Sequence, residues 1–232
     1  MSRTVMITGA NRGIGRELAE RVLAQGDDVI ALGRDRAAMA ELGCRVVTAD
    51  LSAPETLAGA VAGIDRLDAL VHNAGIAEVG PVAETGLDTW QRHLTVNLAA
   101  PAELTRLLLP ALRAASGHVV FVNSGVGLSA GPMWSAYGAS KHGLKALADA
   151  LRAEEQGNGV RVTTVYPGQV ATEMQRALRE SMGVPYDPRR AMSAGTAAEA
   201  IRYVLNVPAE ATVHDLRIAP SDPVPHATSR RR

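Results

Sequence analysis

The stretch Thr8-Gly9-Ala10-Asn11-Arg12-Gly13-Ile14-Gly15 decides the fold of this chain. It follows a short apolar run, Val5–Thr8, and leads into a segment where Ile14, Leu18 and Val22 recur at helical spacing. A glycine-rich turn between a strand and a helix leaves backbone N–H groups free at the helix N-terminus, where they bind phosphate. The stretch therefore predicts the first βα turn of a dinucleotide-binding fold.

Each glycine of this turn has its own expected role. Gly9 permits the tight turn, Gly13 lets a phosphate approach the backbone, and Gly15 lets the helix pack closely on the sheet. The spacing is G-x-x-x-G-x-G, which differs from the G-x-G-x-x-G of ordinary Rossmann dehydrogenases, and the P-loop motif of phosphoryl transfer is not found. The alternative is an ordinary βα turn built of small residues. The expected cofactor-binding residues of the turn also include Asn11, Arg12 and Ile14.

Short apolar runs alternate with helical patterns along the chain. Such alternation, with continuously apolar strands, predicts parallel strands that are covered by helices on both faces. We therefore expect an α/β fold, namely a single doubly wound Rossmann-type domain with a seven-stranded, mainly parallel sheet. This domain is expected to cover residues 1–220, and residues 221–232 are expected to form a flexible tail.

Three local features are predicted along the way. Ser52 and Glu55 have the spacing of a capping box. A long helix is expected over Asp88–Ala115, with an interruption at Pro101. The stretch Thr172–Ser193 is expected to be irregular.

The composition excludes several classes of protein. The chain has 232 residues, with 24 lysines and arginines against 24 aspartates and glutamates, so its formal net charge is zero. A nucleic-acid-binding or membrane-surface protein is therefore not expected. The one cysteine, Cys44, cannot form an internal disulfide, and the six histidines lack ligand spacing, so no metal is expected. Without a signal peptide or an apolar run near ~18 residues, a cytoplasmic location is expected.

Tyr137 and Lys141 lie near the start of a second long helix, Ser135–Glu155, and their spacing of four residues puts them on one helical face. A free tyrosine has a pKa of about 10, too high for a base at neutral pH. A neighbouring lysine ammonium lowers that pKa, so the pair can exchange a proton with an alcohol or an alkoxide. Taken alone, such a pair is common and is more typical of an exposed helix face than of an active site.

Six motifs in order resemble the short-chain dehydrogenase/reductase family, and the match runs over nearly the whole chain. They are the glycine turn, His72-Asn73-Ala74-Gly75, Asn97, Ser124 thirteen residues before Tyr137, the pair Tyr137 and Lys141, and Pro167-Gly168-Gln169-Val170-Ala171-Thr172. His72 stands where the family has the first of two asparagines. The resemblance implies an oxidoreductase that uses a nicotinamide cofactor.

The resemblance also implies a role for each matched residue. Tyr137 is then the general acid and base, and Ser124 hydrogen-bonds the substrate oxygen. Lys141 binds the nicotinamide ribose and lowers the pKa of Tyr137, and Asn97 holds a water that continues the proton path. The remaining residues expected to bind the cofactor are Asp50, Leu51, Asn73, Ala74, Gly75, Pro167, Gly168, Val170 and Thr172, together with Tyr137 and Lys141 themselves.

The end of the second strand indicates which dinucleotide binds. An NAD-binding fold places an acidic residue there for the ribose 2′-OH, whereas an arginine suits the 2′-phosphate of NADP. Gly33 takes the acidic position, Arg34 follows it, and Arg12 lies in the glycine turn, so the expected cofactor is NADP(H). The alternative is that Asp35 binds the ribose and both arginines are solvated.

The expected function is hydride transfer between NADP(H) and a small carbonyl compound or secondary alcohol. Two alternatives stay open: an NAD-dependent dehydrogenase of the same fold, and a dinucleotide-binding sensor without turnover. The intact set of Ser124, Tyr137, Lys141 and Asn97 argues against the sensor, since a pure binder need not keep a whole proton path.

The segment Glu173–Ser193 is the expected substrate lid. Its apolar side chains suit a medium-sized, mostly apolar ligand, and Trp134 lies in a loop over the same site, where it either stacks on substrate or packs in the core. Its arginines either bind a carboxylate or form a solvated face. The apolar residues are Met174, Met182, Tyr186 and Met192, and the arginines are Arg176, Arg179, Arg189 and Arg190.

Assembly as a homodimer or homotetramer is implied by the resemblance, because family members pair their two long helices across an interface. Leucine stripes on the two helices fit such an interface, and they fit a sheet-facing core equally well. The stripes are Leu104, Leu107 and Leu108 on the first helix and Leu144, Leu147 and Leu151 on the second.

Overall fold

The computed structural model of this chain describes residues 2–221. Apart from residue 221, the expected tail at 221–232 lies outside the described residues. Seven strands form one sheet in the order β3-β2-β1-β4-β5-β6-β9, and every neighbouring pair is parallel. The strands are β1 (Thr4–Thr8), β2 (Asp28–Gly33), β3 (Arg45–Thr48), β4 (Ala69–His72), β5 (His118–Val122), β6 (Arg161–Pro167), β7 (Val170–Ala171), β8 (Met192–Ser193) and β9 (Asp215–Ile218).

Helices cover both faces of this sheet, so the predicted doubly wound fold with seven strands is confirmed. Strands β7 and β8 form a separate parallel pair outside it. The helices are α1 (Gly13–Ala24), α2 (Arg36–Ala40), α3 (Leu57–Ala60), α4 (Leu87–Leu94), α5 (Ala100–Ala115), α6 (Ser135–Glu155), α7 (Glu173–Ser181) and α8 (Ala194–Leu205).

Two apolar clusters hold the layers together, one on each face of the sheet. Because successive residues of a strand point to opposite faces, Met6 packs with α3, α5 and α6, whereas Val5 and Ile7 pack with α1, α2 and α8. All five residues of β5 are buried, as a parallel strand covered on both faces requires. The sheet is thus a rigid platform whose strand ends carry the loops of the site.

The leucine stripes of the two long helices belong to this core. Leu104, Leu108, Leu144 and Leu151 are buried in the cluster against the sheet, and Leu107 and Leu147 pack on its margin. The four buried leucines are therefore part of the core, whereas Leu107 and Leu147 are only partly buried. Assembly as a homodimer or homotetramer therefore stays a prediction from the resemblance alone.

The expected long helix is interrupted in a different way. A π-helical turn, Thr95–Ala99, separates α4 from α5, and Pro101 lies in the first turn of α5. Proline has no N–H, so the carbonyl of Asn97 lacks the partner that an α-helix would supply four residues later. The interruption therefore falls at Asn97 itself rather than at Pro101.

Two predictions about helix starts were wrong. The capping box of Ser52 does not form, because the helical segment begins at Pro54 without a side-chain cap and the N–H of Ser52 donates to Asp50 Oδ1 at 2.9 Å. The supposedly irregular stretch Thr172–Ser193 contains α7, whose first turn is capped by the Thr172 hydroxyl at 3.3 Å from the Gln175 nitrogen.

Candidate active site

A cavity of about 1080 Å³ opens at the carboxyl ends of the strands. It lies where β1 pairs with β2 on one side and β4 on the other, which is the point at which the strand order reverses. Open α/β sheets bind their ligands at this switch point, because the loops on the two sides diverge there and leave a crevice.

The cavity brings together most of the residues predicted from the sequence. Two do not line it: Gly15 and Asn97 lie behind its wall. Those that do are Gly9, Asn11, Arg12, Gly13, Ile14, Arg34, Asp50, Leu51, Asn73, Ala74, Gly75, Ser124, Tyr137, Lys141, Pro167, Gly168, Val170 and Thr172.

The glycine turn has the geometry that its sequence predicts. Gly9 and Gly13 have φ of +68° and +56°, which a residue with a Cβ rarely adopts. A Cβ on Gly15 would come closer than 3.0 Å to the carbonyl oxygen of Gly9, so only glycine lets α1 start this close to the turn. The turn thus leaves backbone rather than side chains facing the cavity.

Residues after β4 hold this turn in place. Asn73 Nδ2 donates to the carbonyl oxygens of Thr8 and Gly9 at 3.0 and 3.3 Å. In return, the Thr8 hydroxyl accepts the N–H groups of Asn73 and Ala74 at 3.0 and 2.9 Å. Thr8, 65 residues before Asn73, was not singled out by the sequence as a positioning residue.

His72, which replaces the first asparagine of the family stretch, has a structural role. It is buried, its ring stacks on Phe121 with centroids 4.9 Å apart, and its Nε2 lies 2.8 Å from the Thr105 hydroxyl. Burial lowers the pKa of His72 to about 3, so the ring is neutral. The ring therefore stabilises the end of β4 and is not part of the cavity lining.

The end of β2 places one arginine and one aspartate at the cavity rim. Asp35 accepts the N–H of Ala38 at 3.0 Å and so caps α2, which engages its carboxylate. Arg34 is exposed beside Asp50. The pKa of Asp50 is lowered mainly by the N–H of Ser52, and the guanidinium of Arg34 lowers it further. Arg34 therefore contributes a positive charge to this part of the cavity rim.

Arg12 reaches across the mouth of the cavity. It forms an ion pair with Glu173, the first residue of α7, and both side chains are largely exposed. An exposed pair of this kind contributes little to stability. It does tie the glycine turn to the helix that covers the cavity.

Tyr137 and Lys141 lie on one face of α6, with Lys141 Nζ 5.9 Å from the centre of the tyrosine ring. Both are buried, and Nζ donates to the carbonyl oxygen of Val122 at 3.1 Å. Burial lowers the pKa of Lys141 to about 8, because the low-dielectric surroundings disfavour its charge. The ammonium is thus held between the strand end and the phenol.

The pKa of Tyr137 differs from the expectation. Burial raises it above the ordinary value for tyrosine, and a side-chain hydrogen bond with Ser124 opposes the rise only in part. The effect of burial on the pKa of Tyr137 therefore exceeds any lowering by Lys141, and the expectation of a lowered pKa was wrong. The phenol is protonated at neutral pH, with the rings of His93 and Trp134 6.2 and 5.9 Å away.

Ser124 follows β5 and is positioned by a residue that sequence reasoning missed. The buried Asn123 accepts the N–H of Ser124 through Oδ1 at 2.8 Å and donates through Nδ2 to the carbonyl of Lys141 at 3.0 Å. One side chain therefore joins the strand end that carries Ser124 to the helix turn that carries Lys141. Asn123 also lines the cavity.

Both polar atoms of the Asn97 side chain are engaged in hydrogen bonds behind the cavity wall. Its Oδ1 accepts the N–H of Ile76 at 2.9 Å, and its Nδ2 donates to the Ile76 carbonyl at 2.9 Å and to the Ser140 hydroxyl at 3.0 Å. The side chain is buried, and the π-helical turn leaves its backbone carbonyl without the usual helix partner. Such turns recur at functional sites in proteins.

The covering segment contributes only its first half to the cavity. The lining residues from it are Glu173, Met174, Gln175, Leu178, Arg179 and Met182. Within the described part of the chain, Tyr186, Arg189, Arg190 and Met192 do not line it, and Met192 packs against Val170 and Ala197 instead. Trp134 lines the cavity, as does Ile76 opposite.

Residues 2–221 hold no group of three or more His, Cys, Asp or Glu side chains placed to bind a metal ion. Within the same residues, no helix combines the length and the apolar character that crossing a bilayer would take.

A doubly wound parallel sheet with a glycine turn at its switch point defines the class of Rossmann-type α/β proteins. Residues 3–183 match the family described as short chain dehydrogenase. The chain therefore belongs to the short-chain dehydrogenase/reductase family.

Curated relatives agree with this assignment. The chain is 37% identical over 190 residues to the bovine dehydrogenase/reductase SDR family member 7B, matching 73% of this chain. The match spans only 58% of the length of that relative. A short-chain type dehydrogenase/reductase of Sinorhizobium fredii is 33% identical over 231 residues, with 94% of this chain and 92% of the relative covered.

Solved structures agree with the fold. A serine dehydrogenase in complex with NADP+ superposes with a TM-score of 0.87 over 99% of both chains, at 24% identity. A short chain dehydrogenase of Shigella flexneri in complex with NADP has a TM-score of 0.83 and 27% identity, with 93% of this chain and 96% of that one covered.

Proposed function

We propose that this chain is an NADP(H)-dependent oxidoreductase that interconverts a small carbonyl compound and the corresponding secondary alcohol. One observation carries the proposal: Ser124, Tyr137 and Lys141 line the same cavity as the glycine turn, with the ammonium of Lys141 5.9 Å from the centre of the tyrosine ring. A serine, a tyrosine and a lysine in this arrangement can bind a carbonyl oxygen and deliver a proton to it.

The residues around the cavity fit a nicotinamide dinucleotide. The glycine turn exposes backbone at the N-terminus of α1, and a Cβ on Gly9 would press on Ala74 at 3.1 Å, so the cradle depends on glycine. A Cβ on Gly75 would meet Asn97 Oδ1 at 3.1 Å and Lys141 Nζ at 3.7 Å. A cavity of about 1080 Å³ has room for the dinucleotide and a small substrate.

Preference for NADP(H) is supported at the rim of the cavity. Arg34 presents a guanidinium directly after Gly33, which takes the position where an NAD-binding protein has an acidic side chain. The alternative residue, Asp35, is engaged in capping α2. The Shigella relative was solved with NADP, which agrees with this preference.

The chain's own residues have the following parts in the proposed reaction. When bound, the nicotinamide ring gives or takes the hydride. Ser124 binds and orients the substrate oxygen. Tyr137 gives that oxygen its proton during reduction and takes it back during oxidation. Its raised pKa keeps the phenol protonated at neutral pH, which suits the reducing direction.

Lys141 and Asn97 serve the proton path behind Tyr137. The ammonium of Lys141, next to the phenol, stabilises the phenolate that remains after proton transfer and binds the ribose hydroxyls of the cofactor. The backbone carbonyl of Asn97, which lacks its helix partner, is available to hold a water that brings the next proton.

The test separates catalysis from cofactor binding. Tyr137→Phe removes one hydroxyl, so it should lower single-turnover hydride transfer by about 10²–10⁴-fold and leave NADPH affinity unchanged. Lys141→Ala should lower both, since the ribose loses a partner as well. Tyr203→Phe is the matched control, because this tyrosine is 59% exposed and does not line the cavity.

The measurements are NADPH binding by fluorescence and reduction of a panel of ketones, aldehydes and oxo acids followed by NADPH absorbance. Turnover at the wild-type rate in Tyr137→Phe, with any substrate that the parent reduces, would refute the role of Tyr137.

A further inference from the structure

Arg179 is a buried cation on the wall of the cavity. The residue is only 5% exposed and lines the cavity from α7. Its side chain makes no hydrogen bond or ion pair with any other side chain among residues 2–221. Burial lowers the pKa of its guanidinium, and no acidic group opposes that effect.

The acidic residues of the same helix are engaged elsewhere. Glu173 pairs with Arg12, and Glu180 lies 4.0 Å from Arg176. Buried arginines in proteins are normally paired, because an unpaired charge costs free energy when it leaves water. Arg179 is therefore a guanidinium with no side-chain partner among residues 2–221, on the wall of a cavity large enough for a ligand.

The position of Arg179 along α7 separates it from the phosphate-binding turn. Thr172, which caps the start of the helix, has its Cγ2 3.5 Å from where a Cβ on Gly13 would lie. Arg179 is six residues beyond Glu173, which places it about 9 Å further along the helix axis at 1.5 Å per residue. This offset favours an anion other than the phosphate that the glycine turn is expected to bind.

The surroundings of Arg179 describe the rest of the ligand. Leu178 on α7 and Met182, which directly follows the helix, line the cavity, together with Met174 and, from another segment, Trp134. These side chains are apolar or aromatic. The helix also brings Gln175 and Glu173 to the cavity, but the carboxylate of Glu173 is paired with Arg12. The face suits a ligand with a short apolar chain and one negative group.

We propose that Arg179 binds the carboxylate of the substrate, so that the enzyme acts on oxo acids and hydroxy acids in preference to neutral ketones and alcohols. A planar guanidinium matches a carboxylate with two parallel hydrogen bonds, and burial strengthens them. The proposal rests on the proposed function, since it identifies the substrate class of the same site.

The test compares acids with their own methyl esters. Wild type is assayed with NADPH on 2-, 3- and 4-oxo acids of four to eight carbons and on the corresponding esters. The acids should have kcat/KM higher by about tenfold or more. Arg179→Met should lose that preference through a higher KM, with ester kcat/KM changed by less than about threefold, and Arg179→Lys should recover part of it.

Arg176→Met is the matched control. Arg176 lies one turn away on the same helix, but it is exposed and does not line the cavity, so its loss should change neither acids nor esters. Urea unfolding of each variant verifies that it is folded. A direct binding experiment uses hexanoate as the probe and hexanamide as its uncharged counterpart. Calorimetry on the protein with NADP+ should detect hexanoate binding in wild type and about tenfold weaker binding in Arg179→Met.

Three results would overturn the proposal: equal kcat/KM for acids and esters in wild type, equal losses on both in Arg179→Met, or a main effect of that variant on NADPH affinity. Failure of the proposed function looks different. If wild type reduces neither acids nor esters, the function fails and hexanoate binding still decides the role of Arg179. If esters are reduced in a Tyr137-dependent way without preference for acids, only the role of Arg179 fails.

Discussion

Replacing Lys141 with methionine should stabilise the cofactor-free protein at pH 7, although it removes a residue of the proposed active site. In the folded protein burial lowers the pKa of Lys141 from 10.5 to about 8. Each pKa unit corresponds to about 1.4 kcal/mol, so burying the ammonium costs about 3 kcal/mol. Methionine has a similar length and carries no charge that must leave water.

Part of this gain in stability is offset, because the Lys141→Met variant loses a hydrogen bond. Lys141 Nζ donates to the Val122 carbonyl at 3.1 Å, and an average hydrogen bond contributes about 1 kcal/mol. The expected net stabilisation is therefore about 2 kcal/mol. For a chain of this size that corresponds to a rise in Tm of about 4–8 °C.

The dependence on pH gives the sharper test. Above the folded pKa of about 8, the folded lysine loses its proton while the unfolded lysine keeps it up to its ordinary pKa of 10.5. The unfolded state then binds more protons, so wild-type stability rises with pH relative to the variant. The penalty in wild type should fall from about 3 kcal/mol at pH 7 to roughly half of that at pH 9.5.

Urea unfolding of both proteins at several pH values between 7 and 9.5 measures the difference. Lys145→Met is the control, because Lys145 is one turn along α6, more than a third exposed and paired with Asp149. It should show no gain and no such pH dependence. A Lys141→Met protein that is less stable than wild type at pH 7, or a difference that does not shrink with pH, would refute the reasoning.

Three further predictions concern the cofactor cradle and the site behind it. Arg34→Asp should weaken NADPH binding by about one to two decades in a fluorescence titration, because a charge-assisted bond to the 2′-phosphate is lost, and retained NADPH preference would contradict the position assigned to Arg34. Gly15→Ala should lower the free energy of unfolding in urea by about 1–3 kcal/mol, because the new Cβ meets the Gly9 carbonyl. Gly59→Ala is the control, since a Cβ there would have nothing within 4 Å, and it should leave the free energy of unfolding unchanged. Equal effects of the two variants would contradict the close approach at Gly15. Asn123→Ala should lower kcat about tenfold and the free energy of unfolding by about 2 kcal/mol, because the side chain loses its hydrogen bonds to the Ser124 N–H and the Lys141 carbonyl. An unchanged kcat would refute the positioning role of Asn123.

The architecture could be read from the sequence because its signals are local. Alternating apolar runs and helical patterns give the elements of a parallel sheet, and the glycine turn is a contiguous motif. Helix boundaries were less secure. The spacing of a capping box occurs at both Ser52 and Thr172. Of these two hydroxyls, only that of Thr172 caps a helix, because the N–H of Ser52 donates to Asp50 and the helical segment there begins at Pro54.

The residues that line the cavity were largely predictable for the same reason, but their supports were not. Thr8 and Asn73 are 65 residues apart, and Asn123 and Lys141 are 18 apart, so no local pattern shows that they touch. The raised pKa of Tyr137 follows from burial, which is a property of the folded chain. That Arg179 has no side-chain partner among residues 2–221 likewise follows only from the folded structure, in which all its neighbours are known.

The strand order has a consequence for how the chain is assembled during synthesis. Strand β2 adds to one edge of β1 and β3 adds to β2, whereas β4, β5, β6 and β9 add one after another on the other side. Each newly made strand of this sheet therefore joins an open edge, and none has to be inserted between two strands that are already paired. A growing chain can extend the sheet outward from its first strand as it leaves the ribosome, and the glycine turn can form long before the segment that carries Arg179 is made.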